Sequence, residues 1–244
     1  MDTATDILIR KLKEHTRLSS DDVAAIGTLS HATRSLAPNE DVVHQGEKPK
    51  IAALVVAGML ARYHTRPAGT RQYISFHISG DMPDSQSLFL DQMDHSVCAI
   101  GGGATISTFP HQEILRLFET RPSAGYAFWR ETLIDAAIFR EAITNNSSRP
   151  VRARIAHFMC EQFYRARAAG LGTENTCRVP ISQTQLGETL GISVVTANRA
   201  LQALRRTGAM EFRDGTLTIR NWDKLTGLGE FDPRYLHLTR QTRI

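Results

Sequence analysis

The sequence predicts an α+β chain in three parts: a small antiparallel sandwich or barrel, one long helix, and a C-terminal helix pair followed by a β-hairpin. Three observations predict it. Short apolar runs with period-two alternation, separated by turn residues, fill the stretch from Leu36 to Pro110. A helical apolar pattern then runs from about Ser123 to Thr144. Finally, two short amphipathic segments joined by Gly191-Ile192-Ser193 precede a two-strand signal with Asp214-Gly215 at its turn.

The size fits this plan. A chain of 244 residues makes one large domain or two ordinary ones, and 41% hydrophobic with 22% charged residues is the composition of a globular chain with a real core. The expected divisions are a barrel domain over 1–122, a long helix over 123–147 and a domain carrying the helix pair and hairpin over 148–244. No apolar run approaches the roughly 20 residues needed to span a bilayer, so no membrane association is expected. The start, MDTATDILIRKLKEH, lacks the apolar stretch and small-residue cleavage site of a secretory signal, and the expected compartment is the cytoplasm. Cys98, Cys160 and Cys177 are far apart and form no C-x-x-C pair. They read as three separate buried thiols, with neither a disulfide framework nor a four-thiolate metal site.

In chain order, Ile7, Leu8, Leu12 and Leu18 recur near helical spacing, and Ser19-Ser20-Asp21-Asp22 caps a second short helix beginning near Val23. Strands follow at Val42-Val43, Ile51 to Ala57 and Met59 to His64. The next run places Ile74, Phe76 and Ile78 on one side and Tyr73, Ser75 and His77 on the other, as expected of a strand buried on one face. Val97 to Ile100 and Ala104 to Phe109 supply later strands. Gly101-Gly102-Gly103 reads as the hairpin between them, since a phosphate loop would need a Lys and a following helix. Gln112 to Phe118 is a short helix.

On the long helix Tyr126, Trp129, Leu133, Ala136, Arg140 and Ile143 step by three and four, an a/d seam with one polar exception. Phe128, Ile134, Ile138 and Phe139 cover other faces. A helix apolar on two sides is buried on two sides, either between its own barrel and a twin helix or inside one core. The pattern alone does not separate these. Asn145-Asn146-Ser147-Ser148-Arg149-Pro150 reads as a hinge, and a further helix runs to about Ala169 and stops at Gly170. A loop from Gly172 to Val179 follows.

The densest signal lies between Val179 and Arg220. Ser182 caps a first helix whose Leu186 and Leu190 face inward, Gly191-Ile192-Ser193 is a tight turn, and Ser193 caps a second helix that buries Ala197, Leu201 and Leu204. Gly187 and Ala197 are small, as a close helix crossing requires. This is helix-turn-helix spacing, and Met210 to Ile219 with its Asp-Gly turn adds a wing. An ordinary αα-hairpin with a solvated polar face would not be expected to carry that wing.

Once the buried face is set, helical geometry turns Val194, Val195, Asn198, Arg199 and Gln202 outward. Arg can fork onto guanine, Asn and Gln onto adenine, and the valines can meet thymine methyl groups. Ser182, Gln183, Thr184, Ser193 and Thr196 stand at helix N-termini suited to phosphates. Charge agrees: from Arg149 onward there are 15 Lys+Arg against 8 Asp+Glu, and before it 14 against 17. A basic half joined to a mildly acidic one points to a polyanion partner, double-stranded DNA.

Over essentially its whole length the chain resembles the Crp/Fnr transcription regulators. Gln45-Gly46-Glu47, Gly58, Gly69 and Gly80-Asp81 stand where that family places its turn glycines. Arg154-Ile155-Ala156 is similar to the motif opening the helix before the reading head, and Leu190-Gly191-Ile192-Ser193 with Arg199 and Leu201 matches its helix-turn-helix. The resemblance implies an N-terminal β-roll (a jelly-roll-like, double-stranded β-helix), a long dimerisation helix and a winged helix-turn-helix. It implies a homodimer on a palindromic site, with RNA polymerase as partner if the protein activates. It favours the a/d seam as the dimer contact, and it puts Arg199 on the position that reads the half-site. The family's Glu is replaced by Val195, so the usual half-site is not implied.

The ligand positions depart further. Cyclic-AMP-binding members carry G-D-x-x-G-E and then R-[ST]-A. Here Gly80-Asp81 leads to Asp84-Ser85, and the triplet becomes His95-Ser96-Val97. An Asp repels a phosphate, and the bidentate Arg partner is lost. The expectation is a degenerate pocket that does not bind cyclic AMP in the family manner, with no cofactor and an effector that the sequence does not reveal. The cysteine cluster of the Fnr branch is missing, so no iron–sulfur cluster is expected. His64, His77, His95 and His111 read as hydrogen-bonded residues rather than haem ligands. A second class of function, a small-molecule sensor acting through a protein partner, is opposed by the polar outer face of the second helix. An enzyme finds no supporting constellation.

Overall fold

The computed structural model describes residues 2–238. It forms two compact units that divide between Leu133 and Ile134.

The first unit opens with two capped helices. Thr3 caps α1 (Ala4–Lys13) and Ser19 caps α2 (Ser20–Gly27), each in a reciprocal capping box, with Asp6 and Asp22 respectively. An antiparallel sheet follows: β1 (Ala32–Leu36), β2 (Asp41–Val43), β3 (Ile51–Thr65), β4 (Arg71–His77) and β5 (Ser96–Pro110). The order is β1-β5-β3-β4, with β2 pairing the start of β5. A 3-10 turn at Ser85–Leu88 lies between β4 and β5.

The long strands β3 and β5 form the spine, and the runs Ile51 to Ala57 and Met59 to His64, expected as separate strands, are one strand that continues through Gly58. Ala53 and Val55 point into one core with Leu36, Val97, Ala99 and Ile106. Ala52 and Leu54 point into a second core with Leu8, Leu12, Ile26, Phe109 and Phe128. A strand buried on both faces loses the polar alternation of a half-buried one. The same cause corrects the reading of β4: Tyr73 and His77, expected on the open face, are buried, Tyr73 packing between Tyr63 and Phe76.

Gly101-Gly102-Gly103 is not a hairpin. β5 runs straight through it, and the glycines form a bulge where five steps on β5, from Ala99 to Ala104, oppose two on β3, from Leu60 to Gly58. The backbone demands glycine there. Gly103 has φ +95, and a Cβ on it would lie 2.4 Å from the Leu36 carbonyl oxygen. After β5 come α3 (His111–Thr120) and α4 (Pro122–Ser148).

The second unit contains the end of α4, then α5 (Val151–Ala168), β6 (Thr176–Arg178), α6 (Gln183–Leu190), α7 (Val194–Arg206), β7 (Met210–Arg213), β8 (Thr216–Ile219) and α8 (Trp222–Gly229). A 3-10 turn, Pro233–Leu236, follows. The expected loop from Gly172 to Val179 contains β6, which pairs with β8 in a sheet of order β6-β8-β7. Three residues are too few to show a period.

The expected hinge is corrected too. α4 continues through Asn145, Asn146, Ser147 and Ser148 because each polar side chain has a bond that tolerates the helix. Ser147 and Ser148 hydroxyls donate back to the Thr144 carbonyl. Asn145 donates to the Arg154 carbonyl at 3.2 Å and Asn146 to that of Thr189 at 3.1 Å. Only Arg149-Pro150 separates α4 from α5. Among the described residues, no helix is long and apolar enough to cross a membrane.

Candidate nucleic-acid interface

Two capped helices and one forced turn build the outer surface of the second unit. Ser182 accepts from the Gln185 amide, whose side chain in turn accepts from the Ser182 amide. Ser193 accepts from the Thr196 amide, and the two hydroxyls pair at 2.8 Å. Gly191 adopts φ +65 as the left-handed end of α6. A Cβ on Gly187 would lie 2.8 Å from the Ile192 carbonyl oxygen, so only glycine admits this crossing.

Leu186, Leu190, Ala197, Leu201 and Leu204 are buried beneath the pair. With that face inside, Val194 is 41% exposed and Val195 60%, while Arg199 and Gln202 are open and Asn198 is half-buried. Gln202 donates to Asn198 at 2.8 Å, and Asn198 donates to Gln183 at 2.9 Å. This ladder crosses from α7 to α6 and pre-orders two long polar side chains. Arg199 makes no hydrogen bond or ion pair among the described residues, so its whole fork is free for a partner. Ser182, Gln183, Thr184 and Ser193 are exposed, and Thr196 is half-buried under Ser193.

The wing is a two-residue hairpin. Asp214 (φ +50) and Gly215 (φ +68) supply the two left-handed residues of the preferred turn. Arg178, from β6, donates to the Asp214 carbonyl at 3.0 Å and the Thr216 hydroxyl at 2.8 Å. This brace was not legible in the sequence, since it depends on the unrecognised strand β6. Arg154, by contrast, extends its expected motif, donating to the Leu190 carbonyl at 3.4 Å at the end of α6.

In the first unit the residues expected to form a degenerate pocket make bonds of their own. Both carboxylate oxygens of Asp84 accept from the Ala53 amide, at 2.9 and 3.1 Å. Asp84 is 1% exposed, and burial pushes its pKa up to about 7. It therefore faces the backbone of β3, not an open ligand cavity. Arg62, also buried, donates to the Pro83 carbonyl at 2.7 Å. His95 pairs with Asp94 at 2.7 Å and with Gln86 at 3.1 Å, and burial holds its pKa below the usual value. Ser96 accepts from the Gln45 amide. Gly80 (φ +98) packs against Lys11, and Asp81 accepts from the Ile78 amide and pairs with Lys11 at 3.2 Å. Ser85 is half-buried at the start of the 3-10 turn.

Two family profiles match the chain: the cyclic nucleotide-binding domain over residues 33–121 and the Crp-like helix-turn-helix domain over 153–228. The nitrogen fixation regulation protein FixK of Bradyrhizobium diazoefficiens is 24% identical over 204 residues, covering 82% of this chain and 84% of that protein. The transcriptional activator protein FnrL of Cereibacter sphaeroides is 23% identical over 214 residues, covering 84% and 82%. The solved structure of FixK2 from Bradyrhizobium japonicum superposes with a TM-score of 0.73 at 21% identity, covering 82% of this chain and 98% of that one.

The chain belongs to the Crp/Fnr family. It is a DNA-binding transcription regulator of that type, and its β-roll and winged domain are those expected from the resemblance.

On this Crp/Fnr chain the long helix buries Phe128 and Ile134 of its second apolar set, while Ile138 and Phe139 are half-buried. Ala124, Ala127 and Phe128 are buried in the first unit, and Ile134 and Ala137 are buried further along. Tyr126, Trp129, Leu133 and Ile143 are 67%, 61%, 52% and 68% exposed. Ala136 is half-buried between them, and Arg140 is open. The a/d seam is thus an exposed apolar stripe.

Proposed function

We propose that this Crp/Fnr regulator acts as a homodimer on a palindromic site and binds it without cyclic AMP. The carrying observation is the outward face of α7, where a free Arg199 fork stands beside the Gln202–Asn198–Gln183 ladder and two exposed valines. Arg199 would read a guanine, and Asn198 or Gln202 an adenine. Ser182, Gln183, Thr184, Ser193 and Thr196 would seat phosphates on the ends of α6 and α7.

The exposed stripe supports the dimer. Large apolar side chains at three-and-four spacing are costly in water, and a twin helix with the same stripe covers them isologously. The buried Asp84, already bonded to the Ala53 amide, and His95, whose pKa burial holds down, support the absence of cyclic AMP, because the positions offer neither a free ribose acceptor nor a cation fork. FnrL is named a transcriptional activator; if this chain activates, RNA polymerase is the partner that role requires.

The test has two arms. Fragment binding should weaken steeply with salt, as expected when several phosphates are neutralised; affinity that ignores salt would contradict a DNA-reading surface. Calorimetric titration with cyclic AMP should show no tight stoichiometric binding; one molecule held tightly per chain would overturn that part.

A further inference from the structure

The residues after α8 lie beyond both matched regions, which end at 121 and 228. They are nevertheless built into the second unit. Phe231 is 9% exposed and Leu236 2%. The Phe231 ring meets His157 edge-on at 5.3 Å and Trp222 at 6.0 Å. Tyr235 stacks on His157, and its hydroxyl donates to Glu161 at 2.7 Å. Glu161 is a buried carboxyl on α5 that also accepts from Gln162 at 3.4 Å and pairs with Arg165 at 3.7 Å, so Tyr235 supplies the shortest of these three contacts.

The same cluster reaches the end of α4. His157 stands 3.5 Å from Glu141 and 3.1 Å from the Gly229 carbonyl oxygen. Arg149 pairs with Glu141 at 2.9 Å and with Glu230 at 3.4 Å. Gly229 permits the approach, since a Cβ there would lie 2.6 Å from the His157 nitrogen. With Asn146 bonded to Thr189 at the end of α6, the last turns of α4 are tied to the reading head from both sides.

We propose that the segment from Glu230 to Leu236 is a latch that fixes the last turns of α4 to the DNA-reading head. Phe231 and Tyr235 are its positioning residues: they touch no DNA, but they hold His157 and Glu161, which hold Glu141 and α5. This rests on the reading of α7 as the reading helix and α4 as the dimer helix. With Ile143 on the dimer stripe, a latched helix end sets how far apart the two α7 helices stand, and so which half-site spacing is accepted.

The test compares the full-length protein with Tyr235→Phe, which removes one hydroxyl, and Phe231→Ala. Hydrogen exchange is measured first, without DNA. Amides of 141–149 should exchange about tenfold faster or more in both variants, with 183–204 unchanged. Unchanged exchange at 141–149 overturns the latch. Binding is then measured to a selected palindrome and to versions with one base pair added or removed between half-sites. The wild type should discriminate among them. The variants should lose about tenfold of that discrimination while single half-site binding stays within about twofold. A proportional loss on every duplex would make the segment mere core of the winged domain and also overturns the latch. A wild type indifferent to spacing would count against the dimer reading, and the exchange result alone then decides the latch.

Discussion

Arg199 is the residue on which the proposed reading of DNA turns. Among the described residues its fork has no partner and it is exposed, so Arg199→Ala should remove the proposed DNA contact without disturbing the fold. The expected cost is about 1–3 kcal/mol in DNA affinity with one base position relaxed, measured by competition against single-base variants. A uniform loss over all sequences would make it a phosphate contact. Two buried carboxylates give opposite pH signatures. Hydrogen bonds from Ser123 and Ser19 hold Asp22 down to about 2. Its contribution is therefore present above about pH 4 and lost as pH falls through about 2. Asp22→Asn should lower stability by about 1–2 kcal/mol at neutral pH and flatten the acid limb. Asp84 is raised to about 7 by burial, so its contribution is best below about pH 4 and declines as pH rises through about 7. The unfolding free energy from urea titrations should fall less between pH 5 and pH 8 in Asp84→Asn than in the wild type, by about 1 kcal/mol or more; an equal fall in both would contradict a protonated buried acid. The identity of Asp84 was legible as a departure from the family pattern. Its bond to Ala53 was not, because that depends on a pairing 31 residues away.

At the scale of elements, legibility followed how local the signal was. The helix-turn-helix was readable residue by residue, since caps, turn glycine and buried leucines lie within one short stretch. Gly187→Ala should test that crossing: the added methyl meets the Ile192 carbonyl oxygen, with an expected loss of about 1–3 kcal/mol seen in thermal melting and a matching loss of DNA binding. The long strands were misread where tertiary structure overrides local pattern. Gly101-Gly102-Gly103 carries a hairpin composition, but its demand for glycine comes from close approach to β1 and β3, not from a reversal. Asn145 to Ser148 carries the composition of a helix stop. There the side chains find partners on α5, α6 and the preceding turn, and the helix continues. β6 was too short for any period to show.

At the scale of the molecule, the sequence left open whether the a/d stripe of α4 faced a core or a twin, and its burial pattern answers the first half. The stripe is open in this chain, while the opposite face is packed. Leu133→Glu should therefore convert the proposed dimer to a monomer in sedimentation while the helical circular dichroism is unchanged; a variant that stays dimeric would place the twin contact elsewhere. The charge split is likewise a property of the whole, since the basic residues gather in the half that carries α7 and the wing. The most direct test of a dimeric reader acting without cyclic AMP is selection of genomic DNA fragments by the purified protein with no ligand added, followed by sequencing. The expected result is an enriched palindrome with half-sites about one helical turn apart. Recovery of fragments with no shared sequence, under the same conditions and with the protein folded, would contradict it.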